Sequence, residues 1–292
     1  SLTNDSESEI VVETLWSGIS TGTERLLWEG RMPQFPGLGY PLVPGYESVG
    51  RIIDASNDNK ARVGEMVFVP GCSAYKEVKG LFGGSASHLV VEGSKALKID
   101  EALGSDAVLL ALAATAYRAI TSRKDMLPDL IVGNGVLGRL AARLVVALGG
   151  KPPVVWENNA LRHMADDSVK VLHPSDDKDS KYNTILDMSG NSEILDQLVW
   201  HLNMGGEVIL AGFYSSRLDF AFPAAFMKEA TFRISAEWKP SDLANVYEMV
   251  EAEKVSLAGL ITHKTGYQQA QTAYETAFSD PECLKMILDW KA

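Results

Sequence analysis

The stretch Leu130-Ile131-Val132-Gly133-Asn134-Gly135-Val136-Leu137-Gly138 constrains the fold more than any other. A short apolar run reads as a buried strand. Three glycines follow in G-x-G-x-x-G spacing, and a helical pattern then opens with Leu137, Leu140, Ala141 and Leu144 on one face. In such a unit Gly133 allows a tight turn, Gly135 lets backbone approach a pyrophosphate, and Gly138 lets the helix close on the strand. Val136 and Leu137 open a helix whose first N–H groups and positive dipole end suit phosphate. The spacing alone is weak evidence, but its context is specific. A second apolar strand, Pro153-Val154-Val155-Trp156, ends at Glu157, roughly 20 residues past the glycines, where an acid grips a ribose 2′-hydroxyl. A carboxylate at Glu157 repels a 2′-phosphate and favours NAD over NADP; Arg162, close in sequence, weakens that preference. A turn with an incidental surface glutamate is the weaker reading.

At 292 residues the chain holds one large or two ordinary domains. Apolar residues make up 46% and charged residues 22%, as in globular proteins, and the net charge of −11 argues against nucleic acid as a partner. Two cysteines, Cys72 and Cys283, are too few for a disulfide framework or a four-cysteine zinc site, and read as reduced thiols of a cytoplasmic protein. The longest apolar run, Ala107–Ala116, is too short to span a bilayer. No signal peptide is visible, although the start at Ser1 without Met leaves a leader open.

Short strands separated by Gly and Pro turns fill the chain to about residue 105: residues 10–16, the stretch after Pro44-Gly45, Val63–Pro70, and Ala86–Val91. They predict an all-β N-terminal body. A hydroxyl-rich turn, Ser17-Gly18-Ile19-Ser20-Thr21-Gly22-Thr23-Glu24, follows the first strand, and a short helix is expected over Thr23–Trp28. Residues 32–45 form an apolar Pro/Gly loop suited to a large ligand or to packing on its own domain. A helix over Asp106–Thr121 is then followed by strands at 130–132, 153–157, 168–172, 183–187 and 207–212 that alternate with helices. That pattern predicts a doubly wound parallel sheet. Asp187-Met188-Ser189-Gly190 and Ala211-Gly212-Phe213 end two of those strands. This places Ser189, Gly212 and Phe213 beside the cofactor. Helices at Ser241–Glu253 and Tyr267–Phe278 close the chain.

This arrangement resembles the medium-chain dehydrogenase/reductase family over essentially the whole chain. The resemblance implies a GroES-like catalytic domain over 1–113, a Rossmann dinucleotide-binding domain over 114–237 and a C-terminal segment, 238–292, returning to the catalytic domain. Zinc alcohol dehydrogenases of the family carry G-I-C and G-H-E turns and a further cysteine on the helix before the cofactor domain. The corresponding residues here are Gly18-Ile19-Ser20, Gly45-Tyr46-Glu47 and Ala111. A serine hydroxyl and a phenol stay protonated near neutral pH and bind Zn²⁺ poorly, so no metal is expected. A closer likeness is to a zinc-free branch of the family. It is carried by Ser17–Trp28, Tyr40–Gly50, Gly80–Gly84, Leu110–Tyr117 and Asp280–Met286. It implies NAD-dependent oxidation of a hydroxyethyl side chain on a magnesium bacteriochlorin to acetyl, Thr115 at the nicotinamide, and a homodimer.

Without a metal, the protein must position the carbinol and remove its proton. Ser20 and Thr21 would pass a proton along hydroxyls. Tyr46 would act as acid/base only with a pKa well below ~10, and Glu47 as base or as the group orienting Tyr46. His88 has the most suitable unperturbed pKa, ~6.5, and is also a candidate ligand for the substrate's magnesium. For Ser20, Thr21 and His88 the structural alternative, a turn or strand hydrogen-bonder, outweighs catalysis. A flat apolar macrocycle calls for aromatic walls, with Trp28, Phe35, Tyr75 and Phe82 as candidates that would equally serve as core. Arg25, Arg31 or Lys76 would suit a propionate. Two other readings remain: a zinc-free quinone or enoyl reductase, which would use NADPH, and a non-catalytic dinucleotide-binding protein. Titration with both dinucleotides and a turnover assay separate the three.

Overall fold

The computed structural model describes residues 8–34, 36–123, 126–163, 169–178 and 180–292. The chain divides into two compact units, one joining residues up to Ala111 with Leu257–Ala292 and the other formed by Leu112–Ser256.

The first unit is built on strand Glu9–Ile19, whose alternating burial seats Ile10, Val12 and Thr14 inward. It pairs antiparallel with Ser48–Ala55, with His88–Glu92 and with Met286–Asp289. The sheet continues from Ser48–Ala55 to Met66–Val69 and Leu97–Lys98, and from Met286–Asp289 to His263–Gly266. One hydrophobic cluster gathers Ile10, Val12, Ile52, Val67, Val69, Leu89 and Val91, and a second lies under helix Ala270–Ser279 with Ile19, Ala273, Met286 and Leu288. The predicted turn at Ser17 begins later than expected. Ser17, Gly18 and Ile19 stay extended because they pair with Leu288, Ile287 and Met286 of the C-terminal strand, a partner from the far end of the chain.

The second unit is a six-stranded parallel sheet in the order Lys170–Leu172, Val154–Trp156, Leu130–Val132, Tyr182–Asp187, Leu202–Leu210, Thr231–Ile234. The order reverses between Leu130–Val132 and Tyr182–Asp187, which makes their carboxyl ends the ligand-binding crevice of such a sheet. Leu130, Ile131, Ile185, Leu186, Val208 and Ile209 are fully buried, as expected where both faces are covered. Helix Pro240–Glu251 belongs to this unit, whereas the sequence expectation put everything after residue 237 with the catalytic domain. Its Asp242 meets Arg118 of helix Leu110–Thr121, a contact no local pattern announces.

The stretch Glu101–Thr121 is long and apolar enough by composition to cross a bilayer, but 56% of its apolar window is buried inside the protein. It is a 3₁₀ segment with a non-helical Gly104, followed by helix Leu110–Thr121 whose Leu110, Ala113, Ala114, Ala116 and Ile120 are fully buried. That is the environment of a core helix.

Candidate active site

In the first unit, polar side chains from five places in the chain converge behind the end of strand Glu9–Ile19. Tyr46 donates its hydroxyl to Ser20 Oγ at 2.6 Å. The Ser20 N–H donates to Glu24 Oε1 at 3.0 Å, and the Tyr274 hydroxyl donates to Glu24 Oε2 at 2.6 Å. Glu47 pairs with the ammonium of Lys285, which also donates to the Ile19 carbonyl at 3.0 Å. Gly18 leaves room for this pair, since a Cβ there would fall 2.1 Å from Glu47 Oε2 and 2.9 Å from Lys285 Cε.

Burial decides the electrostatics. Desolvation pushes Tyr46 well above the usual phenol range, and the Glu47 carboxylate adds to the rise. Tyr46 is therefore a hydrogen-bond donor and not, by itself, a base; the condition for acid/base work, a pKa well below ~10, is not met. Desolvation also raises Glu47, against the opposing pull of Lys285. Glu47 is wholly buried, and its partner is Lys285; the Tyr46 hydroxyl goes to Ser20. Glu24 is raised to about 7, chiefly by desolvation, with its bonds to Tyr274 and Ser20 opposing.

In the second unit Gly133 takes a positive φ of 100° and donates its N–H to the Trp156 carbonyl at 2.8 Å. Helix Val136–Ala147 starts at Gly135 with no side-chain cap, so its first N–H groups have no intrahelical acceptor. A Cβ on Gly138 would lie 1.8 Å from the Gly133 carbonyl oxygen, so only glycine permits this closeness. Glu157 follows strand Val154–Trp156, and its carboxylate accepts from the N–H groups of Asn134 and Asn159, each at 2.8 Å. Each oxygen keeps acceptor capacity for a ribose hydroxyl. The Ser189 N–H donates to Asp187 Oδ1 at 2.9 Å, and the Gly212 N–H to the Asp187 carbonyl at 3.1 Å. Phe213 is half exposed, and Thr115 lies on helix Leu110–Thr121. An uncapped helix start, a glycine cradle and a carboxylate at the second strand end fit a dinucleotide. The donors at Ser20, Tyr46 and Glu47 do not fit zinc: two are protonated hydroxyls bonded to each other, and the third faces an ammonium.

No protein-family profile matches the chain. Among curated proteins, the chain is 50% identical to 2-desacetyl-2-hydroxyethyl bacteriochlorophyllide A dehydrogenase of Rhodobacter capsulatus, over 99% of this chain and 93% of the relative. It is 49% identical to the enzyme of that name from Cereibacter sphaeroides, over 100% of this chain and 93% of the relative. The chain belongs to the bacteriochlorophyllide a dehydrogenase family. Its fold is that of the medium-chain dehydrogenases, a GroES-like body with a Rossmann sheet. An alcohol dehydrogenase structure from Escherichia coli, complexed with NADH, superposes with a TM-score of 0.84 at 22% identity, over 99% of this chain and 94% of that one. The 2R,3R-butanediol dehydrogenase of Bacillus subtilis superposes at 0.83 and 17% identity, over 98% and 94%.

Within this family member the structure brings Ser20, Tyr46 and Glu47 into one buried neighbourhood but not the other two proton-handling candidates. Thr21 is exposed. His88 is exposed on strand His88–Glu92 opposite Glu13, seven residues from Ser20 along an extended strand and so on the order of 20 Å away. Phe82 packs edge-on against Tyr46 with ring centroids 5.2 Å apart, and Trp28 stacks on Tyr274 at 5.7 Å with 53% of its surface exposed. Tyr75 ties its hydroxyl to the Gly83 carbonyl at 2.6 Å and packs on the β core. Phe35 lies outside the described residues. Arg25 and Arg31 both pair with Glu29, while Lys76 is exposed. Sequence reasoning missed Lys285, Glu24 and Tyr274 as members of the cluster. A buried lysine in an apolar C-terminal run, Cys283-Leu284-Lys285-Met286-Ile287, was the one available signal.

Proposed function

We propose that the chain oxidises the 3-(1-hydroxyethyl) group of a magnesium bacteriochlorophyllide to 3-acetyl, with NAD as oxidant and without a metal, as a step of bacteriochlorophyll biosynthesis. The observation that carries this reading is the 50% identity, across 99% of the chain, to a dehydrogenase named for that substrate. The Glu157 carboxylate supports NAD over NADP, since it favours ribose hydroxyls and repels a 2′-phosphate.

The dinucleotide, when bound, accepts the hydride. The chain's residues do the rest. Gly133, Gly135, Val136, Leu137 and Gly138 receive the pyrophosphate, and Glu157 holds the adenosine ribose. Thr115, Ser189, Gly212 and Phe213 line the remainder of the cofactor. Ser20 and Tyr46 bind and orient the carbinol oxygen. The bonded pair Tyr46–Ser20 replaces the metal's role of holding that oxygen. Trp28 and Phe82 supply aromatic surface for the macrocycle. The free edge of strand Thr231–Ile234, with Ile234 79% exposed, supports a homodimer through that edge.

The test is turnover of NAD with a hydroxyethyl bacteriochlorin, followed by the pigment's absorption shift together with formation of reduced dinucleotide. Both signals rise in step if the reading holds. Turnover with NADP alone would instead favour the reductase reading, and dinucleotide binding without turnover a non-catalytic protein. Tyr46→Phe should lower kcat by about 10²-fold with the dinucleotide affinity unchanged.

A further inference from the structure

Glu24 is the carboxylate of the cluster that makes no direct ion pair among the described residues. It is 2% exposed and sits on helix Thr23–Trp28. The groups facing it are the Ser20 N–H at the end of strand Glu9–Ile19, Tyr274 of helix Ala270–Ser279, the Glu47 carboxylate and the Lys285 ammonium. Lys285 is engaged by Glu47 and the Ile19 carbonyl. Burial, only partly offset by Tyr274, the Ser20 N–H and Lys285, raises the Glu24 pKa to about 7, so this side chain exchanges a proton near neutrality. Ser20 joins it to Tyr46: the Ser20 N–H donates to Glu24 at 3.0 Å, and Ser20 Oγ accepts from Tyr46 at 2.6 Å.

Resting on the reading of the chain as an alcohol dehydrogenase, we propose that Glu24 is the proton acceptor of the reaction, reached through Tyr46 and Ser20. The carbinol C–H bond breaks and its hydrogen leaves with the electron pair to the nicotinamide. The carbinol O–H bond breaks and its proton passes to the Tyr46 oxygen. The Tyr46 proton moves to Ser20 Oγ, and the Ser20 hydroxyl proton moves to Glu24. The alcohol becomes a ketone, the dinucleotide is reduced and the carboxylate becomes an acid. Tyr46 never has to exist as a phenolate, which its buried site disfavours. The last transfer requires Ser20 Oγ to donate to Glu24, whose Oε1 accepts from the backbone nitrogen of the same residue. Once the ketone has left, reversal of the relay carries the proton from Glu24 through Ser20 and Tyr46 to water in the vacated site.

Glu24→Gln keeps the side-chain shape and an oxygen for its neighbours while removing the titration. The experiment measures kcat against pH, from acid to mildly alkaline, with NAD and the hydroxyethyl bacteriochlorin for wild type, Glu24→Gln and Glu24→Asp. Thermal unfolding and dinucleotide affinity serve as controls. Wild-type kcat should fall tenfold per pH unit on the acid side of neutrality. Glu24→Gln should lose that limb and about 10²-fold in kcat, with dinucleotide affinity unchanged, and Glu24→Asp should restore the limb. A Glu24→Gln enzyme that keeps the wild-type limb overturns the proposal, as does one within threefold of wild-type kcat. Infrared difference spectra of wild type against Glu24→Gln give an independent readout, a carboxylic acid band that titrates near neutrality, and its absence also overturns the proposal. A wild-type protein that shows the band yet does not oxidise the chlorin locates the failure in the proposed function instead.

Discussion

The ammonium of Lys285 lies against the carboxylate of Glu47, and neither side chain meets water, with 1% and 0% of their surfaces exposed. The pair closes at the end of strand Glu9–Ile19, over the bare Cα of Gly18. Taking two charges out of water is costly, and their attraction offsets the cost only while both are present. In the zinc enzymes that the chain resembles, a glutamate follows the G-H turn. Here its charge meets a protein cation.

Breaking this pair should therefore cost far more than replacing it. Lys285→Met leaves a buried carboxylate alone and should destabilise the fold by about 3–5 kcal/mol; Lys285→Met combined with Glu47→Leu should recover most of that loss. Urea unfolding of the two variants checks it. Equal stability of single and double variants would show that the charges are not coupled.

Glu24 makes stability depend on pH in a definite direction. Its pKa is raised from 4.5 to about 7 in the folded chain. Between those values the folded protein binds the proton and the unfolded chain does not. Stability is therefore highest at acid pH and falls as pH rises toward 7, by about 3 kcal/mol in all. Glu24→Gln removes this contribution. The Tm difference, variant minus wild type, should grow more positive from pH ~5 to pH ~8. A difference that is flat with pH contradicts the raised pKa.

Gly138 leaves no room for a side chain. A Cβ would overlap the Gly133 carbonyl oxygen at 1.8 Å, and backbone would have to move. Gly138→Ala should open the loop, destabilise the second unit by about 1–3 kcal/mol and weaken NADH binding at least tenfold in a fluorescence titration. Unchanged affinity would separate the glycine turn from the cofactor.

Glu157 has two jobs, holding the N–H groups of Asn134 and Asn159 and accepting from a ribose. Glu157→Ser should lower NAD affinity by about 1–3 kcal/mol while leaving NADP affinity level or improved, because the repulsion of a 2′-phosphate goes with the carboxylate. Paired titrations with the two dinucleotides read the ratio directly. A ratio that does not move removes Glu157 from cofactor choice.

The cofactor residues of the second unit were readable because their signals are short-range. Gly133, Gly135, Gly138 and Glu157 stand within one strand–helix–strand unit, where spacing along the chain reports spacing in the fold. The polar cluster of the first unit was only partly readable. Ser20, Tyr46 and Glu47 were visible at two turns; His88 was a candidate only for its intrinsic pKa, with a structural role outweighing catalysis, and the register of strand His88–Glu92 against Glu9–Ile19 places it opposite Glu13. Glu24 read as one more residue of a hydroxyl-rich turn. Its partner Tyr274 is 250 residues away.

By itself the sequence determined the two-part architecture, the parallel sheet, the glycine cradle and the loss of thiol and imidazole at the metal positions, because each is written in local pattern and residue type. Only the tertiary structure decided that the C-terminal strand carries Lys285 to Glu47, that Tyr274 caps Glu24, and that Tyr46 is held as a donor. The physical reason is that protonation and charge pairing depend on burial and on neighbours from distant segments. Those are set when Met286–Asp289 pairs with Glu9–Ile19, and no window of the sequence contains both.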